Sequence, residues 1–267
     1  TVPSQQRTII LAMDVSGSMR AKDIQPNRLV AAQEAAKTFV KLVPESTRLG
    51  VVSFAGTAAV VQQPTQNHEE VVAAIDRFQL QRGTAIGSGI IVSLATLFPT
   101  AGIDVTEMLF GRNAARPVPA LPKKPDAPEF KPVPAGSHET AAIILLTDGQ
   151  RTAGPDSMEA AKMAAERGVR VFTVGIGTVG GEVISFEGWS MRVKLDEEAL
   201  KGIANATRAD YYQAATAEDL KKVYQALSSK LVFEKKEMEI TALAAAAAAA
   251  LALLAAVLSM LWFNRIL

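Results

Sequence analysis

Asp14, Ser16 and Ser18 stand at alternate positions in Asp14-Val15-Ser16-Gly17-Ser18, directly after the apolar run Ile9 to Met13. Two further oxygen-bearing side chains hold comparable places: Thr84 in Gly83-Thr84-Ala85-Ile86-Gly87, and Asp148 in Leu146-Thr147-Asp148-Gly149. Such a set suits a hard cation. Mg²⁺ takes six oxygens in near-octahedral geometry, keeps some of its waters and avoids sulfur. Two carboxylates and three hydroxyls fill most of that shell, directly or through water. The alternate spacing lets one tight loop aim three side chains at one centre, and Gly17 lets the backbone turn without a Cβ clash. Only Asp14 and Asp148 are anionic, so the cation stays electron-poor and an Asp or Glu from a partner becomes a strong further ligand. That is chemistry for binding rather than for catalysis. Taken singly, each piece reads as a turn or a helix cap; the metal reading rests on all of them together.

The composition agrees. The chain has 267 residues, with 28 Lys+Arg against 27 Asp+Glu, 2 His and no Cys. Without Cys there is no disulfide framework, thiolate-ligated zinc, iron–sulfur cluster or thiol catalysis. His68 and His138 alone offer little to a histidine metal site or a Ser-His-Asp triad. A net charge of +1 gives no broad basic field, so no nucleic-acid partner is expected.

The elements that must position these residues alternate between strand and helix. Arg7 to Met13 reads as a buried strand, Leu29 to Val43 as a helix, and Leu49 to Phe54 as a strand paired with a short one at 58–61. A helix follows over 69–78, then a Gly-rich turn over 83–89 and a helix over 90–97 stopped by Pro99. Residues 141–147 are a strand ending in Asp148-Gly149. Residues 155–167 are a helix with Gly168 after it, and 169–176 are a strand. Residues 182–186 and 191–195 flank Glu187-Gly188 as a hairpin. A helix capped by Asp196, a strand at Tyr211-Tyr212 and a helix over 217–231 complete the series. The pattern predicts an α/β fold, a doubly wound, mostly parallel sheet covered on both faces, with ligands at the carboxyl ends of its strands. Seven of the 13 prolines fall between Pro117 and Pro134, so 112–138 reads as an extended, solvated insertion in a domain spanning 1–231.

Beyond a charged joint at 232–239, residues 240–263 carry no charge and end in Trp262-Phe263. As a helix, 24 residues reach about 36 Å, enough for a hydrocarbon core of about 30 Å, so a C-terminal transmembrane helix is expected, with a short tail at 264–267. Lys230, Lys235 and Lys236 before the span and Arg265 after it would put the domain in the cytoplasm by the Lys/Arg rule. The chain opens at Thr1 with no signal-peptide core, which reads as a processed chain or a fragment.

Asp14-Val15-Ser16-Gly17-Ser18 with Thr84 and Asp148-Gly149 resembles the metal-ion-dependent adhesion site of von Willebrand factor type A (VWA) domains at all five positions, and the likeness runs over about residues 7–231. The stretch Arg20 to Leu29, Phe54-Ala55-Gly56-Thr57, Gly83 to Gly87 and the C-terminal run are similar to the BatA-type bacterial membrane VWA proteins of aerotolerance operons. The resemblance implies a Rossmann-like fold and a cation (Mg²⁺, with Mn²⁺ or Ca²⁺ as substitutes) held by Asp14, Ser16, Ser18, Thr84 and Asp148. It implies partners that offer an Asp or Glu, among them other VWA membrane proteins and a MoxR-type AAA+ ATPase linked to stress tolerance. It also implies a place at the bacterial inner membrane with the domain on the periplasmic side, opposite to the charge count, and hydrophobic segments ahead of the domain that this chain lacks.

Two other classes compete. A phosphoester hydrolase using Asp14 as nucleophile wants a second carboxylate as general acid/base, and Ser16 stands in that place. A structural membrane anchor with a non-functional metal site would have no use for oxygen ligands at all five positions. Gly175-Ile176-Gly177-Thr178-Val179-Gly180 matches a dinucleotide fingerprint after a strand, but the helix it needs next is replaced by a strand.

Overall fold

The computed structural model describes residues 7–110, 131–178, 180–186, 189–233, 248–249 and 251–258. The chain divides into two units, Thr1–Ser228 and Ser229–Leu267. In the first, strands β1 (Thr8–Asp14), β2 (Arg48–Phe54), β3 (Ala58–Thr65), β4 (Ala141–Thr147), β5 (Arg170–Ile176) and β8 (Tyr211–Ala214) form one sheet in the order β3-β2-β1-β4-β5-β8. All neighbours are parallel except the β2–β3 pair, the short hairpin expected from sequence. β6 (Glu182–Phe186) and β7 (Trp189–Val193) make a separate antiparallel hairpin.

The central strands are apolar on both faces because helices cover both. Every residue of β4 is buried, as is all of β1 after Thr8. Ile10 and Ala12 of β1 join Ile143 and Leu145 of β4 in a core closed by α3 (Ile86–Leu97), α5 (Ser157–Glu166) and α6 (Glu197–Ala206). By strand alternation, Ile9, Leu11 and Met13 turn to the opposite face. α1 (Arg28–Leu42) packs on α2 (His68–Asp76), which lies on β2 and β3. Phe39 of α1 meets Tyr224 of α7 (Ala217–Phe233) at 5.4 Å between ring centroids. Helix starts follow the capping signals: Asn27 accepts from Val30 N, Asp156 from Met158 N and Glu159 N, and Asp196 from Ala199 N.

Two expectations need correction, and one helix was not expected. The turn expected over 83–89 is half helix, because α3 begins at Ile86. Its glycines serve packing: a Cβ on Gly87 would stand 2.5 Å from Pro155 O, and one on Gly89 would stand 2.8 Å from the Phe54 ring. α4 (Val105–Phe110), six residues with none buried, has too little periodicity to be read in advance. The far end of the Pro-rich insertion is tied down rather than free. Val133 N donates to Glu166 O and His138 N to Gly168 O, at 2.7 and 2.9 Å. Residues 111–130 of that segment lie outside the described residues.

Of the span expected over 240–263, residues 248–249 and 251–258 are described; they are helical, with Leu251, Leu253, Leu254, Val257 and Leu258 exposed. Among the described residues no helix is long and apolar enough to cross a membrane, so the structure does not support the expected transmembrane helix. The remainder of 240–263, the joint from residue 234 and the tail 264–267 lie outside the described residues.

Candidate metal centre

The strand order reverses direction between β1 and β4, and the carboxyl ends of these two neighbours supply the two acids. Asp14 is the last residue of β1 and Asp148 follows β4; both are wholly buried. Asp14 Oδ1 accepts from Ser16 N at 2.7 Å, and Oδ2 accepts from the Thr147 hydroxyl at 2.5 Å. Thr147 Oγ1 in turn accepts from Gly149 N at 3.1 Å, which ties the two strand ends together. Ser16 Oγ and Ser18 Oγ stand 2.9 Å apart, and the Ser18 hydroxyl bonds the Asp148 carboxylate. Gly17–Arg20 forms a 3₁₀ turn that carries Ser18 back toward β4.

Thr84 arrives on a separate loop. Gln81 N donates to Val15 O at 2.7 Å, and Ala85 N to Ala55 O at 2.6 Å, so the 81–85 segment is stitched to the ends of β1 and β2. The Thr84 backbone is pinned to Thr152 through Thr84 N to Thr152 Oγ1 at 2.8 Å and Thr152 N to Thr84 O at 2.9 Å. Thr84 does not cap α3; Ala85 holds that position and makes no side-chain cap bond. Buried to 4% exposure, Thr84 shares with Ser18 the wall of one recess. All five expected residues therefore meet at one sheet edge.

The electrostatics of this edge favour a cation. Burial, and then the neighbouring Asp148 charge, push Asp14 up to about 7 from the ordinary 3.8. Asp148 is also raised by burial, while the Ser18 hydroxyl, the Arg28 guanidinium and Gln150 N hold it back. Two buried carboxylates side by side keep both charges only if something positive joins them. Among the described residues no three His, Cys, Asp or Glu side chains are placed to hold a metal ion together, so a cation here would rest on two carboxylates, hydroxyls and water. That donor set suits Mg²⁺ or Ca²⁺ better than a soft metal.

Sequence reasoning missed the group behind the site. Arg28 has no exposed side-chain surface. It donates to Asp148 Oδ2 at 3.2 Å and binds Asp23 in a two-point fork, Nε to Oδ1 at 2.8 Å and Nη2 to Oδ2 at 2.6 Å. Asp23 Oδ2 also accepts from Thr178 N and the Thr178 hydroxyl, at 3.1 and 3.2 Å. Burial raises the Asp23 carboxyl, but Arg28 and Thr178 outweigh it and hold it below the ordinary range. Glu182 Oε2 accepts from Lys22 N and from Asp23 N, which ties the β6–β7 hairpin to the same cluster. The available signal was an Arg on the apolar Leu29–Ala32–Ala36 stripe of α1. Gly177, part of the rejected nucleotide pattern, makes room for it: with φ at +125°, a Cβ there would lie 2.5 Å from Arg28 Nη2.

Comparison with known proteins supports the fold. A UPF0353 protein of Nocardia farcinica is 35% identical to the chain, over 87% of it and 65% of the relative, so the chain spans just under two thirds of that protein's length. Two Bacteroides structures share the fold. BatB of Bacteroides thetaiotaomicron (TM-score 0.61, 24% identity) matches over 84% of this chain and 98% of its own. An aerotolerance-related membrane protein of Bacteroides fragilis (TM-score 0.62, 20% identity) matches over the same shares. A mussel byssus proximal thread matrix protein, solved with a zinc-occupied MIDAS motif, shares the fold at TM-score 0.53 and 20% identity, over 84% of this chain and 45% of its own. Residues 9–150 match one family described as the von Willebrand factor type A domain, and 133–226 match a second of the same description. The chain belongs to the von Willebrand factor type A domain family.

Proposed function

We propose that the chain is a protein-interaction module which binds partners through a divalent cation held by Asp14, Ser16, Ser18, Thr84 and Asp148, the partner completing the shell with an Asp or Glu. The observation that carries this reading is the pair of wholly buried acids at adjacent strand ends, with serine hydroxyls bonded between them. Arg28 is shared between Asp148 and Asp23, so negative charge remains at the strand ends for a cation to offset. Mg²⁺ is the resident ion of this reading, with Mn²⁺ or Ca²⁺ able to replace it. The chemistry is binding, not turnover: both Asp14 oxygens already accept hydrogen bonds from Ser16 N and Thr147, which leaves a poor nucleophile.

The module acts at a bacterial inner membrane, with the domain on the periplasmic side, in a complex with other VWA membrane proteins and a MoxR-type ATPase. Support for the membrane comes from the uncharged run at 240–263 and from the fold shared with the aerotolerance-related membrane protein of Bacteroides fragilis. Calorimetric titration with Mg²⁺, Mn²⁺ and Ca²⁺ tests the cation: saturable binding is expected in the natural protein and not in Ser16→Ala/Ser18→Ala. A pull-down from membranes with and without EDTA, repeated with Asp14→Ala, tests the partner contact. Partners retained equally in every condition would sink the metal-bridged mechanism.

A further inference from the structure

A recess of about 400 Å³ opens directly beside the candidate metal centre, and Ser18 and Thr84 belong to both. Its apolar walls are Leu80, from the segment after α2, and Ile184, from the β6–β7 hairpin; both are half-buried. Arg20 and Arg82 stand on its rim. Among the described residues lining it there is no acid. The volume is at the small end of the roughly 300–1,000 Å³ usual for ligand clefts, which suits one large side chain or two small ones rather than a helix. The interior is mostly apolar.

Resting on the cation reading above, we propose that the partner docks through a short extended segment in which an Asp or Glu is followed closely by a bulky aliphatic or aromatic residue. The carboxylate reaches the cation, and the apolar side chain fills the recess between Leu80 and Ile184. Because Ser18 and Thr84 face both places, the two groups must lie within one side chain's reach of each other. In an extended strand, residues i and i+2 point to the same face about 6.6 Å apart, so the spacing acid–any–apolar fits best. The cation then supplies the shared requirement for an acid, while the recess supplies discrimination between acidic partners.

The test uses the full chain in nanodiscs and a phage-displayed library of random linear peptides, selected in Mg²⁺ and in EDTA. Enrichment in Mg²⁺ alone of peptides with an acid followed within two positions by a large apolar residue is expected. Ile184→Asn and Leu80→Asn, on two separate elements, are expected to keep calorimetric Mg²⁺ binding and to bind the selected peptides about tenfold or more weakly. Acidic peptides selected without any apolar preference would overturn the recess and leave the cation reading standing. Selected peptides that bind the variants as well as the natural protein would do the same. Mg²⁺ binding with no Mg²⁺-dependent selection would overturn both.

Discussion

Replacing Asp14 by Asn should stabilise the protein when no cation is available, although it removes a central side chain of the site. An ordinary Asp in the unfolded chain loses its proton near 3.8, whereas in the folded chain burial and Asp148 keep it protonated up to about 7. Between these two values the folded state binds more protons, so stability falls as pH rises through the window. Above pH 7 the accumulated cost is about 3.2 pKa intervals at 1.36 kcal/mol each, or about 4 kcal/mol. Asn mimics the neutral acid. Its Oδ1 can still accept from Ser16 N, and its amide can donate to Thr147 Oγ1, whose second lone pair keeps Gly149 N. The variant should therefore gain up to about 4 kcal/mol at pH 8 in EDTA, a rise in Tm of about 8–16 °C for a domain of this size. The advantage should shrink to about 2 kcal/mol at pH 5 and nearly vanish at pH 4. In saturating Mg²⁺ at pH 8 the gap should narrow to about 1–2 kcal/mol, because the natural protein alone gains about 2.7 kcal/mol at one hundred times Kd. Denaturant melts at pH 4, 5 and 8, with EDTA or Mg²⁺, give all these values. An Asn variant less stable than the natural protein in EDTA at pH 8, or a difference that ignores pH, would refute the account of Asp14 as a strained buried acid.

Mg²⁺ affinity should rise roughly 25-fold from pH 5.5 to 7.5, since the ion displaces the Asp14 proton below about 7, and flatten above; calorimetry at constant ionic strength reads the slope. Arg28→Met should cost about 3–5 kcal/mol in urea unfolding, because it leaves Asp23 and Asp148 buried without their cation, and a loss below about 1 kcal/mol would contradict the buried fork. Arg28→Lys should recover only part of this, since an ammonium cannot span two oxygens of Asp23 and reach Asp148. Gly177→Ala should destabilise by about 2 kcal/mol or more through its φ of +125° and the guanidinium 2.5 Å from the new Cβ; full native stability would show that Arg28 can move aside.

The apolar runs at 9–13 and 143–146 were enough to identify central parallel strands, since only strands covered on both faces lack polar alternation. Asp14, Ser16, Ser18, Thr84 and Asp148 were legible because each follows an apolar run or sits in a Gly-rich segment, where loops at the end of a sheet carry function. The order β3-β2-β1-β4-β5-β8 was not legible residue by residue, yet it brings Asp14 against Thr147, next to Asp148, across 133 residues of chain. Arg28 shows the same limit. Along the sequence it is one charge at the start of a helix, and only the packing of α1 against the β5–β6 connection turns it inward to bind Asp23 and Asp148 together. Gly177 is explained by that same guanidinium and not by a nucleotide. Local chemistry, strand runs and caps depend on neighbours along the chain, so the sequence determined them. Which acids share a low-dielectric pocket, and which cation balances them, depends on contacts between distant segments, and these only the tertiary structure decided.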